Sequence, residues 1–143
     1  MSVKQISIFL ENRIGRLAEI TGLLGDRGIN IRAMSLADSA DFGILRIIVD
    51  DTEKTKALLK DKGFAFGENE TLAVEVPDIP GGLAQLLRIL SDELVNVEYM
   101  YAFLISPTQR AVIIFRFEDP QQAVGALAKH GIRTLTGKSI HQI

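Results

Sequence analysis

One sequence feature restricts the fold more than any other: the second half of the chain restates the first. Gly15 recurs as Gly81, an offset of 66, and the same offset carries Leu17 to Leu83, Ala18 to Ala84, Leu24 to Leu90, Asn30 to Asn96 and Ile31 to Val97. After two extra residues between the second and third strands of the later copy, Asp51 corresponds to Asp119 and Gly63 to Gly131. A chain with such a repeat folds as a small unit built twice.

Each copy spells the order strand, helix, strand, strand, helix, strand. In the first, Val3 to Leu10 has the β-branched, partly alternating pattern of a strand, and residues 11–15 form a turn. A helix is predicted over Arg16 to Arg27, with Leu17, Ile20 and Leu24 at helical spacing and Gly28 as its stop. Strands follow over Ile29 to Leu36 and Phe42 to Val49, separated by a turn at Ala37 to Asp41. Asp50 and Glu53 suggest a capping box for a helix over Thr52 to Lys62, and a short strand is predicted from Phe64 to about Gly67. In the second copy, strands are predicted at Leu72 to Val76, Val97 to Ser106, Ala111 to Phe117 and Ile132 to Leu135. Helices are predicted at Gly82 to Leu94 and, with Asp119 as N-cap and Pro120 at the first position, up to about Lys129. The polar run Gly67-Glu68-Asn69-Glu70 is the one break between halves, which sets expected domains at 1–70 and 71–143. Right-handed crossovers turn each unit into an antiparallel sheet with its helices on one face, an α+β, ferredoxin-like βαββαβ arrangement.

Composition limits the function. Of 143 residues, 47% are apolar, enough for a packed core, and the net charge of −2 is spread without a basic block. Nucleic acid is therefore a poor partner; a βαββαβ RNA binder also needs aromatic stacking residues on a basic middle strand, and the segment Phe42 to Val49 lacks them. Cysteine is absent, which excludes disulfides and thiolate chemistry and fits a cytoplasmic location. No apolar run is long enough to span a membrane, and no signal peptide is visible. The two histidines, His130 and His141, have no nucleophile at a recognisable spacing, and no His, Asp or Glu set has metal-ligand spacing. A non-enzyme without cofactor or metal is expected.

The turn before the first helix of each half is the candidate site. A helix start offers unpaired N–H groups and the positive end of the dipole, which hold an anion such as an α-carboxylate. Gly15, Gly81 and Gly82 carry no Cβ and admit a ligand to the backbone. Asn12 and Asp78 occupy equivalent positions and can accept from an ammonium group. Arg13 and Arg16 make the first turn the more basic of the two. Tyr99 and Tyr101 share a strand face, where packing is the favoured role.

These residues carry a family likeness. Glu11-Asn12-Arg13-Ile14-Gly15-Arg16-Leu17-Ala18, followed by Gly28-Ile29-Asn30-Ile31, resembles the ACT domain, and Asp78-Ile79-Pro80-Gly81-Gly82-Leu83-Ala84 with Asn96-Val97 is a closer match. The first half also resembles the small regulatory subunit of acetolactate synthase. The resemblance implies tandem regulatory modules that bind an amino acid or another small metabolite, pair as a homodimer, and act on a metabolic enzyme or on their own assembly. Carried onto this chain, it implies ligand-binding residues Asn12, Ile14, Gly15, Arg16 and Leu17 in one half and Asp78, Ile79, Pro80, Gly81, Gly82 and Leu83 in the other, with Asn30 and Asn96 closing the pockets. Ile14 departs from the proline usual at its position, and Leu94 stands where Gly28 ends the first helix.

Overall fold

The computed structural model describes residues 2–38, 41–104 and 110–141. The elements are β1 (Val3–Glu11), α1 (Arg16–Asp26), β2 (Ile31–Asp38), β3 (Phe42–Val49), α2 (Thr52–Asp61), β4 (Ala65–Val76), α3 (Gly82–Asp92), β5 (Val97–Ala102), β6 (Ala111–Phe117), α4 (Pro120–Lys129), β7 (Thr134–Leu135) and α5 (Gly137–His141). The architecture is the expected α+β pair of ferredoxin-like units. Residues 39 and 40 of the expected turn, and Ile105 and Ser106 of the strand expected over Val97 to Ser106, lie outside the described residues.

The junction between halves differs from the sequence reading. Gly67-Glu68-Asn69-Glu70 does not interrupt the chain's strand structure; it lies inside β4, a single 12-residue strand. β4 is the last strand of the first unit and the first strand of the second. Ala65 to Thr71 pair with β1, and from Leu72 onward β4 pairs with β6. Cross-strand pairing suppresses a break that polarity suggests, because polar residues on a strand can face water while their backbone stays in the ladder. The sheet therefore continues through both units in the order β2-β3-β1-β4-β6-β5, with β7 on β4.

Two apolar cores follow from strand alternation. In the first, Ile6, Ile8, Leu10, Leu45, Ile47 and Val49 pack on Ile20 and Leu24 of α1 and Leu58 and Leu59 of α2. In the second, Leu72, Val74, Val76, Phe115 and Phe117 pack on Leu86 and Leu90 of α3 and Ala123, Ala126 and Leu127 of α4. The opposite sheet faces carry a third core of Val3, Ala33, Ile48, Ala73, Val112 and Ile114, joined by Tyr101 and Phe103. The sheet thus curls with α1 to α4 outside and its other face inward. Its outer strands meet where Ala33 bridges Phe103 and the Leu104 N–H donates to the Arg32 carbonyl at 3.3 Å.

The inner face also answers the question of the two tyrosines. Tyr101 Oη donates to Gln5 Oε1 at 2.5 Å, and Gln5 Nε2 donates to Tyr99 Oη at 2.7 Å. Ser7 Oγ donates to Asn69 Oδ1 at 2.7 Å beside them, and the Arg46 guanidinium lies 3.8 Å from the centre of the Tyr99 ring. Burial, with a smaller push from Tyr99, holds the Tyr101 hydroxyl well above the ordinary tyrosine range, so it stays neutral and donates. β5 reaches this position through a bulge at Glu98, matched at Arg32 in β2. Each bulge turns the following residue, Tyr99 or Ala33, to the inner face.

Several local devices differ from their predicted forms. Asp51, not Asp50, caps α2, accepting from the Lys54 N–H at 3.0 Å; Asp50 accepts from the Asn30 N–H at 2.9 Å instead. Asp119 caps α4 through the Gln122 N–H, with Pro120 in the first turn, as the sequence indicates. α5 was not anticipated, since five residues are too few for a periodic signal. Its Ile140 is fully buried against the inner core, and His141 Nδ1 hydrogen-bonds the Val49 carbonyl.

Leu94 follows α3 with φ 60°, the one described non-glycine residue with positive φ. Its side chain is 83% exposed, so the strained backbone gains little packing in return. Leu94→Gly removes strain of about 1–2 kcal/mol and adds a smaller unfolded-state entropy penalty. A net gain of about 0.5–1 kcal/mol is expected, read as a rise of about 2–4 °C in the thermal midpoint. A lower midpoint would contradict this account.

Candidate functional site

The two turns are built alike. Gly15 has φ 86° and ψ −12°, and Gly81 has φ 83° and ψ −4°, so each helix is entered from a left-handed glycine with no side-chain cap. The Arg16 N–H donates to the Arg13 carbonyl at 3.3 Å, and the Gly82 N–H donates to the Ile79 carbonyl at 3.0 Å. Glu19 and Gln85 then return hydrogen bonds to the Gly15 and Gly81 carbonyls, each at 2.9 Å. The duplication therefore extends to the backbone hydrogen bonds.

Each turn borders a cleft. The first, of about 210 Å³, is lined by Leu10, Glu11, Asn12, Arg13, Leu17, Leu36 and Gly43. Its far wall comes from β2 and β3, because Phe42 pairs with Glu11 and Gly43 with Leu10 at the same end of the sheet. The second, of about 190 Å³, runs between the end of β4 and the first turns of α3, from Glu75, Val76 and Pro77 to Gln85, Leu86 and Ile89, with His130 and Ile132 beyond. Gly82 is required here: a Cβ on it would stand 2.2 Å from the Pro77 carbonyl oxygen.

The basic character expected of the first turn is offset locally. Arg13 Nε lies 3.0 Å from Glu11 Oε2, and Arg16 pairs with Glu19 at 2.9 Å while lying over the Phe64 ring. A neighbouring carboxylate on each arginine leaves little net positive charge. The counterpart of Glu11 is Pro77, and the second turn carries no such ion pairs on Ile79 or Gly82.

Of the residues expected to form the sites, the structure brings Asn12 and Leu17 to one cleft and Gly82 to the other. Gly15 and Gly81 set the turn geometry, Pro80 and Asp78 are exposed, and Leu83 is partly packed in the second core. Ile14 and Ile79 project outward, Ile14 completely exposed and Ile79 65% exposed. Asn30 and Asn96 are not brought to the turns. They precede β2 and β5 at the opposite end of the sheet, where the Asn30 N–H meets Asp50 and Asn96 Nδ2 meets Glu118 at 3.1 Å. An 11-residue helix of about 16 Å separates each from its glycine. Of the lining residues that sequence reasoning missed, Leu36, Gly43 and His130 come from later elements, and Glu75 from the strand that leads into the second turn. The sheet topology alone could have placed the start of β3 beside the first turn.

The family model described as an ACT domain pair matches residues 1–143. The chain belongs to the ACT domain pair family. A Bacteroides thetaiotaomicron protein of known structure is similar to this ACT pair over 100% of this chain and 98% of its own, with 38% identity and a TM-score of 0.92. The regulatory subunit of aspartate kinase from Thermus thermophilus, in ligand-free form, shares the fold at 17% identity and TM-score 0.61, over 88% of this chain and 90% of its own. Its Thermus flavus counterpart does so at 14% identity and TM-score 0.59, over the same shares. No curated protein matches. Among the described residues, no helix of the ACT pair is long and apolar enough to cross a membrane, and no cluster of His, Cys, Asp or Glu could hold a metal.

Proposed function

We propose that this ACT pair is a non-catalytic regulatory protein that binds an amino acid beside its helix-entry turns. The observation that carries the reading is the twofold recurrence of a left-handed glycine with matching backbone hydrogen bonds, at Gly15 and again at Gly81, each turn bordering a cleft with walls of its own. Helix-start N–H groups suit the ligand's carboxylate, and Asn12 and Asp78 suit its ammonium group. Binding would act by favouring one interface state, either of a homodimer or of a complex with a metabolic enzyme.

A thermal-shift screen of the common amino acids on ligand-free protein tests this directly. At least one is expected to raise the midpoint, by about 2.7 kcal/mol of linkage at a hundredfold excess over Kd. A flat response across the whole set counts against ligand binding. The shared fold with aspartate kinase regulatory subunits favours a second reading, a regulatory subunit of an amino-acid biosynthetic enzyme acting through protein contacts. It predicts co-purification with a larger enzyme and indifference to free amino acids.

A further inference from the structure

At its first-unit end, the inner face of the sheet reverses the usual order of burial. A row of cross-strand neighbours, Ala37, Ile44, Phe9 and Ala65, runs straight across β2, β3, β1 and β4. The row is wholly apolar, yet Ala37, Phe9 and Ala65 are exposed, Phe9 by 49%. The next row inward is Ser35, Arg46, Ser7 and Gly67; it is the more polar of the two, and none of its members is exposed. Phe42, on the same face beside Glu11, is 58% exposed and extends the apolar surface. A sheet face that meets water alternates to polar residues, so a contiguous apolar patch there marks a contact surface.

The second unit indicates what covers such a row. Its equivalents, at offsets of 66 and 68, are Phe103, Val112, Glu75 and Arg133. There the row is docked on the other ACT unit: Phe103 bridges Ala33, and Val112 lies in the inner core with Ala33 and Ile48. The open row of the first unit continues that same inner face. We propose that it docks on a second copy of this chain, the two rows stacking face to face about a twofold axis. Such a contact is self-complementary and meets no like charge. The row itself is uncharged, Glu11 at its rim is matched by Arg13 at 3.0 Å, and Arg46 beneath it is turned onto the Tyr99 ring. Half of each of two phenylalanine rings, with Ile44 and the two alanines, comes to about 300 Å² of apolar surface per copy. An interface built around such a centre buries about 1,200 Å² in total, at the low end for specific complexes, so the dimer is reversible with a Kd of about 1–100 μM. The contact uses the sheet face, not an edge strand or a helix, and it needs no ligand, so it goes beyond the regulatory reading above.

The test is sedimentation analysis of the full chain, free of ligand, from about 1 to 500 μM, a span that brackets the expected Kd. The wild type should pass from monomer to dimer across that range. Phe9→Ser should weaken the dimer by about tenfold or more. Ala65→Glu, at an exposed position, sets two carboxylates into the contact and should abolish it; this variant keeps the test alive if Phe9→Ser does not fold. Leu36→Glu, on the opposite face of β2, should leave the Kd within about threefold of wild type. A wild-type chain that stays monomeric throughout overturns the proposal. So does a dimer that Ala65→Glu leaves intact, or one that Leu36→Glu breaks as fully as Ala65→Glu does, since the contact then lies on the strand edge or the helix side. Each of these failures leaves the amino-acid reading standing, because no ligand is present.

Discussion

Adding one methyl group at Gly82 is expected to destabilise the protein by about 3 kcal/mol, at the upper end for overpacking a tight site. The Cβ of Gly82→Ala would lie 2.2 Å from the Pro77 carbonyl oxygen and 3.2 Å from its carbonyl carbon. Both are backbone atoms, so no side chain can swing aside. Relief requires α3 to pull away from the end of β4, which opens the second core at Leu86 and Leu90. The equivalent residue in the first half is Arg16, which tolerates a Cβ because the chain there approaches less closely. Arg16→Ala should therefore cost only about 1–2 kcal/mol, from a largely buried cation–π contact and surface ion pairs. Urea denaturation of both variants measures the contrast. Equal midpoints for the two would show that the Pro77 contact relaxes freely.

The same pair of positions shows what the sequence could and could not reveal. The repeat made the fold legible: the duplicated glycines at 15 and 81 mark equivalent turns, and the structure gives them nearly equal φ, 86° and 83°. Local signals of that kind act within a few residues. The continuity of β4 was hidden because it depends on partners far away, β1 for one half of the strand and β6 for the other. The bulges at Arg32 and Glu98 were hidden for a related reason. A bulge shifts the alternation by one residue, so a pattern read at period two assigns the wrong face beyond it. Asn30 and Asn96 entered the expected sites through the family resemblance, and the structure places them at the far end of the sheet from the turns. Their observed role is to tie the strand start to Asp50 and Glu118.

The strongest side-chain link between the halves is expected to be Gln5, and removing it should rival Gly82→Ala. Gln5 is fully buried on β1, yet both of its hydrogen-bonding tyrosines stand on β5, across the inner face. Gln5→Leu keeps most of the volume but strips both hydroxyls of their amide. Tyr101, buried and neutral, then has an unsatisfied donor, a loss of about 1–3 kcal/mol, and the charge-flanked Tyr99 adds a smaller share. A total of about 3 kcal/mol follows. The physical claim lies in the coupling, since pairing Gln5→Leu with Tyr101→Phe removes donor and acceptor together. The double variant should recover about 1–2 kcal/mol relative to the sum of the single changes, because an apolar pair leaves nothing unsatisfied. Urea titrations of wild type, both single variants and the double variant close the cycle. Additivity within about 0.5 kcal/mol would show that Gln5 and Tyr101 do not depend on each other, and that apolar packing of Ala33, Ile48, Val112 and Ile114 alone holds the inner face. A coupled result would explain why a polar residue is retained at the centre of this face. Its geometry can be met only when β1 and β5 face each other in one register, so it selects that docking of the units over slipped alternatives.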